Sequence, residues 1–94
     1  MLHHLTLGRT IGDNQDYVTD LDWQMYCEEV LDANFDGYTV YDAMGSWKSQ
    51  PENATVVAID TPPTLLVKQV AQIYKEMFQQ DAVGLYITPS MEFI

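Results

Sequence analysis

The order in which the apolar residues change their spacing constrains this chain's fold more than any single residue does. Leu5, Leu7, Arg9 and Ile11 alternate with His4, Thr6, Gly8 and Thr10, the period-two pattern of a strand. Trp23, Tyr26, Cys27, Val30 and Leu31 then fall on one helical stripe. Two more strands read from 38–48 and 54–59, the second rich in β-branched residues. Leu66, Val67, Val70, Ile73, Tyr74, Met77 and Phe78 form a broader helical face, and 83–88 reads as a last strand. Strand, helix, strand, strand, helix, strand within 94 residues predicts an α+β domain of the ferredoxin-like type. That is a βαββαβ plait with a four-stranded antiparallel sheet and two helices on one face. The length predicts one domain over 1–94.

The punctuation fits this reading. Asp13-Asn14-Gln15-Asp16 supplies turn formers after the first strand. Thr19 with Asp22 three residues on resembles a capping box, and Asp20 and Asp22 favour the positive end of the helix dipole. Phe35 closes the first helix, and Gly37 suits a left-handed position beyond it. Gly45 predicts a bulge or a close approach to the backbone. Ser49 to Asn53 reads as the hairpin loop, and Asp60 or Thr61 as the cap of the second helix ahead of Pro62 and Pro63. The tail ends in Phe93 and Ile94, apolar residues that need either this subunit or a neighbour to cover them.

Charge narrows the choice of partners. The net charge is −10, and the four cations are Arg9, Lys48, Lys68 and Lys75. Direct nucleic-acid binding needs a cationic footprint, and an anionic membrane surface needs the same. Both are excluded as partners. No apolar run is long enough to span a bilayer, and the first seven residues do not read as a secretory signal. Cys27 is the single cysteine, so no internal disulfide is expected. A cytoplasmic location follows as the expectation.

Motifs that carry chemistry are few. His3 and His4 are adjacent on a strand, so they point to opposite faces and cannot share one ion. The 13–16 stretch lacks the alternate ligands, central glycine and terminal glutamate of a calcium loop. No phosphate loop, dinucleotide fingerprint or nucleophile elbow is present. Cys27 lies on an apolar stripe and reads as an inert small hydrophobe. No cofactor, no metal and no catalytic residue is expected, and the chain reads as a non-enzyme.

Two features suggest binding. Both faces of the predicted sheet carry large apolar residues, which predicts a homo-oligomer with sheets packed face to face or edge to edge. The segment from Gly45 to Asn53 is polar and carries Trp47 and Lys48, groups able to stack a base and hold a phosphate. Arg9 and Tyr41 are expected to join it where a neighbouring subunit closes the cleft, which makes Arg9, Tyr41, Trp47, Lys48 and Asn53 the candidate ligand-binding residues.

The run from Phe35 to Trp47, with Trp23 in the preceding helix and Gly8 in the first strand, resembles a group of small bacterial and phage proteins of unknown function. In these a helix ends in Phe-x-Gly-(Tyr/Phe)-Thr and the next strand carries Gly-x-Trp. The closing Glu92-Phe93-Ile94 resembles the ending of some phage members. The resemblance implies the same fold, transfers no catalytic residue, and implies an antagonist of host defence acting in the host cytoplasm. The leading expectation is therefore a phage-type accessory protein. It would be a non-enzymatic homo-oligomer that sequesters a small anionic ligand, such as a nucleotide immune signal, at subunit interfaces. The second is an acidic nucleic-acid mimic that inhibits a basic host defence protein. It rests on the eight carboxylates from Asp13 to Asp36, a stretch without Lys or Arg. The third is a small dimeric α+β barrel enzyme using a strand carboxylate such as Asp42.

Overall fold

Alternating apolar residues at Leu5 and Leu7, both fully buried, place the first strand at the centre of a sheet rather than at its edge. The structure, a computed structural model, describes residues 1–11 and 16–94; for Asp16 and Trp47 it describes the backbone alone. The expected turn and the excluded calcium loop at 13–16 fall largely outside the described residues.

The chain order is β1 (Leu2–Gly8), β2 (Thr10–Ile11), β3 (Asp16–Tyr17), α1 (Asp20–Tyr26), a π-helical turn (Cys27–Leu31), α2 (Asp32–Asn34), β4 (Thr39–Trp47), β5 (Gln50–Asp60), α3 (Thr64–Met77) and β6 (Gly84–Thr88). The segments over 20–34 run on without a break, so the architecture is two helices and a four-stranded sheet. The sheet is antiparallel throughout, in the order β4-β5-β1-β6. β2 and β3 pair separately as a small ribbon.

Register fixes the faces, because residues directly opposite each other point to the same side. Leu5 pairs with Val57 and Leu85, and Leu7 pairs with Thr55. Leu5, Leu7, Val57 and Ile59 join Tyr26, Val30, Leu31, Val67, Val70, Tyr74 and Phe78 in one buried cluster. Both helices therefore cover the same face. Aromatic rings link the two helices: Tyr74 meets Tyr26 edge to face at 5.1 Å and Trp23 at 6.3 Å. Each buried phenol finds a carbonyl, as burial requires. Tyr26 Oη donates to Val70 O at 2.7 Å, and Tyr74 Oη donates to Gly8 O.

Local chemistry explains the helix ends. Thr19 and Asp22 form the full capping box, Asp22 N donating to Thr19 Oγ1 and Thr19 N donating to Asp22 Oδ2. The helical stripe carries a π turn that the 3.6 period does not reveal. Its wider closure has Asp32 N donating to Cys27 O, and Val30 and Leu31 within it are both buried. Phe35 ends the helix by stepping into extended backbone and burying its ring. Gly37 is not left-handed, so the expected glycine cap is replaced by this step. Neither Asp60 nor Thr61 caps α3: the N-cap is Pro63 and makes no side-chain bond.

The β4–β5 hairpin also differs from expectation. The turn is Lys48-Ser49, with φ of 49° and 63°, the double left-handed geometry that suits the twist of paired strands. Gln50 to Asn53 belong to β5 rather than to a loop. Pro51 is tolerated there because β5 overhangs β1, whose pairing stops at Ala54. Gly45 pairs with Glu52 in an unbroken register, so no bulge forms.

The face away from the helices is partly shielded by its own side chains. Val56 and Ala58 are buried there, while Tyr41 and Tyr86 on the outer strands stay half exposed. Met91, Phe93 and Ile94 of the tail are exposed, so the tail does not dock on this chain.

Candidate ligand-binding cleft

β1 ends at Gly8, but the ladder continues one residue further, because Arg9 N donates to Asn53 O at 3.0 Å. Arg9 thus keeps the parity of Leu5 and Leu7 and points to the helix side. Its guanidinium is held from several directions. Nε and Nη2 donate to Val18 O at 3.2 and 2.9 Å, and Nη1 donates to Thr55 Oγ1 at 3.1 Å. Nη2 also reaches Asp20 Oδ1 at 3.5 Å. The cation lies 5.6 Å from the centre of the Trp23 ring. Each contact offsets the desolvation of a side chain that is only 17% exposed.

Between this arginine and the β4–β5 hairpin lies a cleft of about 350 Å³. Arg9, Tyr17, Val18, Asp42, Ala43, Asn53 and Ala54 line it, with Arg9 and Asn53 adjacent across the ladder. Asp42 pairs across the strands with Thr55, the residue that accepts from Arg9, which fixes the carboxylate on the arginine's side of the sheet. The cleft therefore offers a guanidinium, a carboxylate, an amide and a phenol. Arg9 has five N–H donors, and its described bonds engage four. An anion entering the cleft can accept from the second N–H of Nη1.

The candidate residues from sequence are thus divided. Arg9 and Asn53 come together in the cleft. Tyr41 points to the opposite side of the sheet, because it neighbours Asp42 on a strand and pairs with Val56. Lys48 occupies the exposed hairpin turn. The Trp47 side chain lies outside the described residues. Tyr17 and Val18 were not foreseen; their signal was the single backbone bond from Val18 N to Arg9 O, which no local pattern encodes. Asp42 was foreseen only as a strand carboxylate.

Other reactive groups belong to the framework. Cys27 is half-buried, and burial pushes its thiol pKa up, which disfavours the nucleophilic thiolate. Burial, then the hydrogen bond to Asp32, pushes the Tyr38 phenol up; that bond is 2.6 Å long. His3 is buried and shares a 2.8 Å bond with Thr64 at the start of α3. His4 faces the other way, stacked on Tyr86 at 4.2 Å and bonded to Thr88. Among the described residues no three His, Cys, Asp or Glu side chains converge as a metal site would require. No described helix is long and apolar enough to cross a membrane.

Residues 3–93 match the model of a family described as protein of unknown function, DUF3574, and the chain belongs to that family. No curated protein and no solved structure matches it.

Proposed function

We propose that this DUF3574 chain is a non-enzymatic binding protein whose Arg9–Asp42–Asn53 cleft captures a small anionic ligand, with a nucleotide as the best-fitting class. The cleft itself carries the reading. Its volume lies at the small end of ligand pockets, which run from about 300 to 1,000 Å³, and so suits a mononucleotide. The fifth N–H of Arg9 supports a phosphate oxygen. Asp42 and Asn53, which line the same cleft, support hydroxyl or amine donors of a ribose or base. Inorganic phosphate alone engages only the first of these. The net charge of −10 favours a ligand of few charges, such as a monophosphate, over a polyphosphate, since repulsion grows with ligand charge.

Capture without turnover is sequestration, and in a phage-encoded chain acting in the host cytoplasm it would withdraw a nucleotide immune signal. Self-association belongs to the same reading, supported by the half-exposed Tyr41 and Tyr86 on one sheet face. So does a ferredoxin-like plait. The four long strands and two helices follow one another as βαββαβ, with the first and third long strands at the centre.

Calorimetric titration with adenosine and guanosine monophosphates, a cyclic dinucleotide and inorganic phosphate tests the reading. At least one nucleotide is expected to bind, and Asp42→Ala and Asn53→Ala each to weaken it roughly tenfold, about 1.4 kcal/mol. Absence of binding by every nucleotide, or affinities unchanged in both variants, would end it.

A second reading rests on the exposed carboxylates Asp20, Glu28, Glu29 and Asp32 along the first helix. They suit a decoy for a basic nucleic-acid groove. Such binding should weaken steeply with salt and disappear on replacing Glu28, Glu29 and Asp32 by amides. It should survive Asn53→Ala.

A further inference from the structure

We infer that the sheet face away from the helices is a self-association surface and that its occupant is a second copy of this chain. The inference deepens the homo-oligomer part of the reading above by assigning its face.

The charge distribution carries the argument. The side chains pointing away from the helices include Tyr41 on β4, Val56 and Ala58 on β5, His4 and Thr6 on β1, and Tyr86 on β6. Among the described strand residues, the carboxylates on this side stand at the two ends of β5, at Glu52 and Asp60. The helical layer carries more, with Asp20, Asp22, Glu28, Glu29, Asp32 and Glu76 against Lys68 and Lys75. Two copies of a chain of charge −10 repel each other in most orientations. Bringing the sheet faces together through their uncharged centres, with Glu52 and Asp60 at the ends of β5, keeps the helical carboxylates farthest apart. A basic partner would be drawn to the helical layer, and an anionic membrane would be repelled by the whole chain.

Shape points the same way. The tyrosines stand on the two outer strands, while the centre is floored by Val56 and Ala58, both under 9% exposed. Raised edges and a low centre on one patch are self-complementary under a two-fold axis, the commonest symmetry of homo-oligomers. His4, stacked on Tyr86 and bonded to Thr88, holds one edge in place.

The test is sedimentation velocity at micromolar concentration on four chains: wild type, Thr6→Glu, Gln69→Glu, and a chain ending at residue 90. Thr6 is exposed at the middle of the face, so the variant sets like charges against each other. Gln69→Glu adds the same charge to exposed α3 surface. Wild type, Gln69→Glu and the shortened chain are expected to be dimers. Thr6→Glu is expected to be a folded monomer by circular dichroism, its dissociation constant raised roughly tenfold or more. Tyr41→Glu is read in the same way if Thr6→Glu does not fold. A wild-type monomer would overturn both this face and the homo-oligomer reading, leaving the cleft to stand. Dimers that persist in the folded face variant, or that dissociate only when the tail is removed, would overturn the face alone.

Discussion

Arg9 and Val18 are joined in both directions: Val18 N donates to Arg9 O at 2.8 Å, and the Arg9 guanidinium returns two hydrogen bonds to Val18 O. The only arginine of the chain thus fastens the segment after the β2–β3 ribbon to the end of β1 while lining the cleft. Arg9→Met keeps the apolar stem and removes these bonds and the one to Thr55. We expect a loss of about 2 kcal/mol, the scale of hydrogen bonds made by a charged group. That corresponds to a fall in Tm of roughly 10 °C for a chain of this size. Arg9→Lys should recover only part of it, because a lysine cannot reproduce the planar fork. Thermal unfolding followed by circular dichroism checks this; an unchanged Tm in Arg9→Met would show that the clamp contributes nothing to stability.

Gly8 is needed for space. A Cβ added there would lie 2.5 Å from Gln80 Oε1 and 2.8 Å from Glu52 Oε1. Gln80 cannot swing away freely, since its Nε2 donates to Thr10 O and Phe78 O. Gly8→Ala should cost roughly 1–3 kcal/mol, as overpacking does. Adding Gln80→Ala should relieve part of that cost, so the double variant is expected to be more stable than the sum of the single effects. Urea unfolding of the three variants measures the coupling, and strict additivity would refute the clash.

High pH should unfold the protein through its tyrosines. Burial pushes the Tyr26 and Tyr74 phenols above the ordinary value of 10.0. In both the folded state holds the proton more tightly than the unfolded state does. The stability they contribute is complete below pH 10 and is lost as pH rises towards their folded values. Counting these two buried phenols alone, the slope above pH 10 approaches about 2.7 kcal/mol per pH unit, at 1.36 for each, and the raised Tyr38 phenol steepens it further. Urea midpoints between pH 8 and 11 should be flat and then fall, and Tyr26→Phe should make the fall shallower. A midpoint independent of pH across that range would contradict the burial assigned to these phenols.

Much of this architecture was legible in the sequence because it rests on local signals. The switch from period two to a helical stripe located both helices and the four long strands, and Thr19 with Asp22 marked the first helix start correctly. The failures have physical causes. The π turn at Cys27–Leu31 uses the residues of the α stripe, so periodicity cannot separate the two windings. The Lys48-Ser49 turn was missed because neither residue is the glycine or asparagine that positive φ normally selects, and Pro51 disguised the extension of β5. In the cleft, Arg9 was singled out because cations are scarce. Its neighbours Tyr17, Val18 and Asp42 come from separate segments whose meeting is set by tertiary register. Tyr41 neighbours Asp42 on β4 and so stands, within one chain, on the opposite side of the sheet.

Native mass spectrometry of the protein taken gently from a cell lysate shows whether the Arg9–Asp42–Asn53 cleft is loaded. One small-molecule mass per chain is expected, released on denaturation and absent from the folded Asp42→Ala, Asn53→Ala double variant. A bare wild-type chain, or a mass that the double variant retains, would contradict it.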